Sequence, residues 1–89
     1  MTYTVEFTSR ALKQLKKLDK AIAGFILNYI ERNLNGCSNP RIMGSPLKGN
    51  HKGKWRYRAG NYRILCMIND YKITILIIDI GHRKEIYKY

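Results

Sequence analysis

From Ile73 to Ile80 the chain reads Ile-Thr-Ile-Leu-Ile-Ile-Asp-Ile, an almost unbroken β-branched run in which Asp79 is the only charge. β-branched side chains lose rotamer freedom in a helix and pack well on a pleated surface, so the run is a strand. It is apolar at odd and even positions alike, so both of its faces need cover and both of its edges need partners. In a chain of 89 residues that requirement governs most of the remainder. The other segments have to supply flanking strands and a helical layer, within one domain spanning 1–89.

Those segments are present. Tyr3 to Thr8 alternates apolar and polar residues and reads as a first strand. Ser9 is placed as the N-cap of a helix whose stripe is Ala11, Leu12, Leu15 and Leu18, with Arg10, Lys13, Lys16, Lys17 and Lys20 as a solvated face. Asp19 caps a second helix in which Ile22, Phe25, Ile26, Tyr29, Ile30 and Leu34 share one face, and Gly36 ends it. Cys37 to Gly53, punctuated by Pro40, Gly44, Pro46, Gly49 and Gly53, is a long loop. Lys54 to Ala59, the Gly60-Asn61 hairpin signal and Tyr62 to Ile68 give two further strands. Asn69-Asp70 turns the chain into the apolar run, which becomes the central strand and ends at Gly81. The predicted order is βααβββ: an α+β fold with a two-helix hairpin on one face of a mainly antiparallel, four-stranded sheet.

The function classes narrow through charge. Seventeen Lys and Arg face six Asp and Glu, a net +11, and no acidic residue occurs between Glu31 and Asp70. Arg32, Arg41, Lys48, Lys52, Lys54, Arg56, Arg58 and Arg63 all fall in that interval. A surface built only for solubility intersperses the signs. A block of one sign suits a polyanion, nucleic acid above all. No apolar stretch approaches the roughly 20 residues that cross a bilayer, and no signal peptide is visible, so a cytoplasmic location without membrane attachment is expected. Cys37 and Cys66 lack metal or redox spacing and are taken as reduced thiols. Asp70, Asp79 and Glu85 are too scattered to hold a catalytic metal pair, and neither metal nor cofactor is expected.

Strand alternation puts Lys54, Arg56 and Arg58 on one face, with Trp55 and Tyr57 on the other. A two-residue turn at Gly60-Asn61 then sets Arg58 directly across from Arg63, which gathers four cations on one side of one hairpin. Like charges facing each other across strands cost about 0.2–1 kcal/mol. A hairpin shaped by stability alone avoids that arrangement, so the face is read as an anion site. The aromatics Trp55, Tyr57 and Tyr62 are assigned to the core beside Ile64 and Ile68.

The segment from Gly53 to Ile64, with its G-x-Y-R pattern, and the G-H-R-x-x-I-Y pattern from Gly81 to Tyr87 resemble the signature of RelE-type toxins. Pro46-Leu47-Lys48-Gly49 resembles that family's loop before its second strand, and Ser9 to Leu18 resembles its first helix. The resemblance to the RelE/ParE superfamily covers essentially the whole chain. It implies the toxin of a type II toxin–antitoxin system: a metal-independent endoribonuclease that enters the ribosomal A site and cuts messenger RNA.

By position the resemblance assigns Lys54 and Arg56 to the basic pair of the second strand. Arg63 and Arg83 are then the clamp on the scissile phosphate, and Tyr87 or His82 the group that moves a proton. Tyr87 follows Arg83 more closely than in the best-known members. Lys48, Lys52 and Arg58 are expected to bind RNA around the catalytic set, and His51 is left as a loop residue. The implied partners are a cognate acidic antitoxin, the ribosome and its message, with operator DNA reached only through the antitoxin. Two other readings stay open: a ParE-like inhibitor of DNA gyrase, and a non-catalytic RNA- or ribosome-binding module.

Overall fold

The computed structural model describes residues 1–82; Arg83 and Tyr87 lie outside the described residues. The element order is β1 (Thr4–Phe7), α1 (Ser9–Lys17), α2 (Lys20–Asn33), β2 (Ser45–Pro46), a 3-10 turn (Gly49–His51), β3 (Trp55–Ala59), β4 (Tyr62–Asn69) and β5 (Thr74–His82). The sheet has five strands in the order β1-β5-β4-β3-β2, with β1 parallel to β5 and every other pairing antiparallel. The α+β expectation holds, with five strands in place of four. The additional strand is Ser45–Pro46, two residues inside the expected loop that pair with Arg56 and Trp55. The apolar run is an interior strand flanked by β1 and β4, while β4 occupies the middle of the sheet.

The helices cover one face. Ala11, Leu15, Ile26, Ile30 and Leu34 pack on Tyr57, Ala59, Ile64, Cys66, Ile75, Ile77 and Ile80. Burying each large aliphatic side chain stabilises the fold by about 1.5–3 kcal/mol. Leu12 and Phe25, placed on the buried stripes by periodicity, are 44% and 54% exposed. Both sit at the margin of a helix whose seam on the sheet is narrower than its apolar arc. The α1 cap is Thr8 rather than Ser9: the Thr8 hydroxyl accepts from the Ala11 amide at 3.1 Å because β1 ends one residue earlier than expected. Asp19 caps α2 through the Ala21 amide, and Gly36 takes the left-handed conformation at φ +82°.

The turns differ in kind. Gly60 has φ +61° and Asn61 is not left-handed, the Gly-first arrangement of a two-residue II′ hairpin. The β4–β5 connection is longer than the expected two residues. Asn69 pairs with Thr74, and Asp70 to Ile73 form the loop, fastened by the Asn69 side chain accepting from the Tyr71 and Lys72 amides. β5 therefore starts at Thr74, and it runs through Gly81 to His82. Cys37 and Cys66 are free thiols, and burial pushes the Cys66 thiol well above its ordinary range.

Cys37 to Gly53 is long but not loose. Trp55 Nε1 donates to the Met43 carbonyl at 2.8 Å, the Tyr57 hydroxyl donates to the Pro40 carbonyl, and Arg56 Nη2 reaches Ser45 Oγ at 2.7 Å. Gly44, at φ +79°, is where the loop presses hardest on β3. A Cβ there would overlap the Arg56 carbonyl oxygen, the Trp55 indole nitrogen and the Tyr57 ring. Gly44→Ala is expected to destabilise the protein by about 2–3 kcal/mol, through strained backbone and steric overlap together. Chemical denaturation of the two proteins measures this, and an unchanged midpoint would show that the loop is not seated as described.

Candidate nucleic-acid interface

The face opposite α1 and α2 is built around the β3–β4 hairpin. Cα partners across it are Trp55 with Cys66, Arg56 with Leu65, Tyr57 with Ile64, Arg58 with Arg63 and Ala59 with Tyr62. Tyr57 and Ile64 point into the core, so Arg56, Arg58, Arg63 and Leu65 share the opposite face. The Leu47 amide donates to the Lys54 carbonyl at 3.1 Å, which turns the Lys54 peptide toward β2. By alternation the peptide groups of Arg56 and Arg58 also point away from β4. Arg58 and Arg63 therefore form a non-hydrogen-bonded pair, the kind in which Cα atoms approach to about 4.5 Å. Two arginines meet at the closest register the sheet offers.

Arg58 is exposed, whereas Arg63 is only 8% exposed, and both line a narrow crevice with Gly60, Asn61 and Tyr62. Arg56 is half-buried and anchored by Ser45 across the β2–β3 pairing. Lys54 precedes β3, and Lys48 and Lys52 flank the 3-10 turn as exposed cations. Lys54, Arg56, Arg58 and Arg63 thus come together along one hairpin as expected, with Lys48 and Lys52 near its base. His51, left as a loop residue, lies in the 3-10 turn.

His82 stands apart from the cations. It is the Cα partner of Tyr62, and the two rings meet edge to face with centroids 5.5 Å apart. Tyr62 packs against the core, so the imidazole is turned to the helix-covered side of the sheet. The G-H-R pattern identified the position but not the face, because the face depends on an irregularity in β5. Leu65 pairs with Asp79 and Cys66 with Ile77, which leaves Ile78 as an extra residue.

Sequence reasoning missed the device that holds this bulge. Asp79 is 4% exposed; Gln14 of α1 donates to it at 2.5 Å, and Arg10 lies 3.7 Å away. The same Gln14 accepts from the Ile80 amide at 2.7 Å. One helical glutamine thereby fastens α1 to the strand that delivers Gly81 opposite Arg63. A single polar residue among the α1 lysines is a weak signal, and only the bulge gives it meaning. Ser45 gave no signal at all.

A second polar cluster ties the long loop to the far end of the sheet. Arg41 binds Asp70 through both guanidinium nitrogens at 3.0 and 3.1 Å, and the Tyr3 hydroxyl donates to Asp70 at 2.7 Å. The Arg41 hydrogen bonds, followed by that of Tyr3, hold the Asp70 carboxyl below the usual carboxylate range. Its folded pKa is depressed, so its contribution is present above the unfolded pKa and is lost as pH falls through the folded one. Asp70→Asn is therefore expected to lower stability at neutral pH, with the difference from the parent protein disappearing on acidification. Denaturation midpoints measured across the acid range test this; a pH-independent gap would contradict it.

Two helices on one face of a mixed sheet, with clustered arginines on the other, define a small basic domain of the RelE-like toxin class. A family model described as the ParE toxin of the type II toxin–antitoxin system parDE matches residues 5–87. The toxin RelG of Mycobacterium tuberculosis is 34% identical over 88 residues, covering 99% of either chain. The mRNA interferase toxin RelE of Escherichia coli K12 is 29% identical over 90 residues, covering 98% of this chain and 92% of that relative. A RelBE toxin–antitoxin complex from M. tuberculosis has a TM-score of 0.84 at 32% identity, over 96% of this chain and 95% of that one. The chain belongs to the RelE/ParE superfamily and is a toxin of a type II toxin–antitoxin system.

Proposed function

We propose that this toxin is a ribosome-dependent endoribonuclease that cuts messenger RNA in the A site without a metal ion. The observation that carries the reading is the pairing of Arg58 with a nearly buried Arg63 on the face opposite α1 and α2, with Arg56 and Lys54 next along the strand. A buried cation facing another cation is costly to fold around. It repays that cost where negative charge arrives.

Cleavage by a neighbouring 2′-hydroxyl supplies such charge. The 2′-oxygen attacks phosphorus, the equatorial oxygens gain charge, and the bond to the 5′-oxygen breaks to leave a cyclic phosphate. Cations fixed before the reaction stabilise that transition state more than the ground state. Arg63, joined by Arg83 on the strength of the family resemblance, holds the scissile phosphate. Lys54 and Arg56 hold the flanking backbone and ease removal of the 2′-proton. Tyr87 and His82 are the candidates to move protons, and the packing of His82 against Tyr62 favours Tyr87. Lys48, Lys52 and Arg58 bind the surrounding RNA. The carboxylates Asp70 and Asp79 are engaged by Arg41, Tyr3, Gln14 and Arg10, which suits a mechanism run on cations rather than on carboxylate-held metal.

The partner in this reading is an acidic antitoxin that covers the basic surface; the similar M. tuberculosis structure is itself a toxin–antitoxin complex. Operator DNA is reached through that antitoxin, and the site of action is the cytoplasm. A second reading, inhibition of DNA gyrase, draws on the ParE description of the matching family model. Primer extension on cellular messages after induction separates the two. The nuclease gives codon-phased cuts, and Arg63→Met abolishes them in a protein that circular dichroism still shows to be folded. DNA breaks without phased cuts would instead establish the gyrase reading.

A further inference from the structure

Arg58 borders two clefts, not one. On its inner side is the crevice it shares with Arg63. On its outer side is a cleft of about 360 Å³ lined by Tyr29, Gly44, Ser45, Arg56 and Arg58. The second cleft exists because β2 is only two residues long: it covers β3 at Trp55 and Arg56 and leaves the edge beyond them open. The outward peptide of Arg58 has no strand partner there, so its N–H and its guanidinium are both available at the cleft. Among the described residues Arg58 makes no ion pair.

The walls of this cleft are fixed. Ser45 accepts from Arg56 at 2.7 Å, which sets the guanidinium in place before any ligand arrives. Gly44 lies too close to β3 for a side chain, so the loop wall has no room to collapse inward. Tyr29 contributes a phenol, which is neutral at physiological pH and so a donor, and burial moves its ionisation further up. Arg56 and Arg58 are two residues apart on one strand, about 7 Å, close to the spacing of successive phosphates along an extended nucleic-acid strand. Among the described residues no carboxylate lines the cleft.

We propose that this outer cleft is a second phosphate subsite, which takes the backbone phosphate and ribose of the nucleotide flanking the scissile bond. The RNA strand crosses the sheet from Arg63 over Arg58 to the open edge of β3, and Ser45 acts as a positioning residue for Arg56. The proposal rests on the cleavage reading for its ligand, although the subsite itself calls only for a single-stranded RNA backbone.

The test is a phosphate-neutralisation scan by fluorescence anisotropy. It uses the full-length protein and a labelled RNA oligonucleotide, 2′-O-methylated throughout so that cleavage cannot occur. Each phosphate in turn is replaced by an uncharged methylphosphonate. One phosphate other than the scissile one is expected to cost the parent protein about tenfold in affinity, and to cost Arg58→Ala almost nothing further. Ser45→Ala should weaken the same position several-fold and Ser45→Thr should restore it, which loss of folding would not produce. Arg58 is exposed, so its truncation leaves the core intact.

Equal losses at every phosphate in both proteins would overturn the subsite, as they would reduce Arg58 to general electrostatics. Coupling confined to the scissile phosphate would overturn it too, by adding Arg58 to the clamp formed by Arg63. Position-specific coupling in a protein that leaves ribosome-bound message uncut would retain the subsite and sink the nuclease reading.

Discussion

The register of the β3–β4 hairpin is the constraint on which the rest of the molecule depends. Side chains in a strand alternate with period two, so a slip of one residue would turn one strand over, either sending Arg56 and Arg58 under the helices and lifting Tyr57 into water, or doing the same to Arg63 and Ile64. Two features hold it in place. Gly60 adopts φ +61° and permits the two-residue turn, and Tyr57, completely buried, extends beneath the loop to the Pro40 carbonyl. The same alternation that builds the core builds the cationic face.

Stability and function pull against each other here in an identifiable place. The core side is conventional: aliphatic side chains from two helices meet aliphatic side chains from three strands. The open side carries a buried guanidinium opposite an exposed one and a surplus of eleven positive charges overall. A small domain has little stability to spare for that repulsion. The compensation is local and polar. Gln14 with Asp79, Arg41 with Asp70 and Tyr3, and Arg56 with Ser45 each fasten one segment of irregular backbone to the sheet. Together they hold the bulge in β5, the long loop and the two-residue strand where packing alone would leave them underdetermined.

This pattern fits a toxin that is held in check by a partner. A protein with seventeen basic and six acidic residues gains most from an anionic ligand, and either a nucleic-acid backbone or an acidic polypeptide provides one. The same attractive field draws either one. The shaped part of that surface is the pair of clefts that Arg58 borders along β3 and β4.

Much of this was legible in the residues. The β-branched run, the two helical stripes, the Gly-Asn turn and the clustering of Lys54, Arg56, Arg58 and Arg63 on one face all follow from local periodicity, which the chain encodes over a few neighbouring positions. Tertiary structure alone decided the rest. Ser45–Pro46 is a strand only because Trp55, Arg56 and Tyr57 bind the loop from a distance in sequence, and two residues carry no periodicity to read. His82 faces the core side because a bulge at Ile78 shifts the register of β5, and that bulge is held by a helix more than sixty residues earlier. Local patterns fix which elements form and which way they alternate; contacts between distant segments fix where the alternation breaks, and in this protein those breaks shape the site.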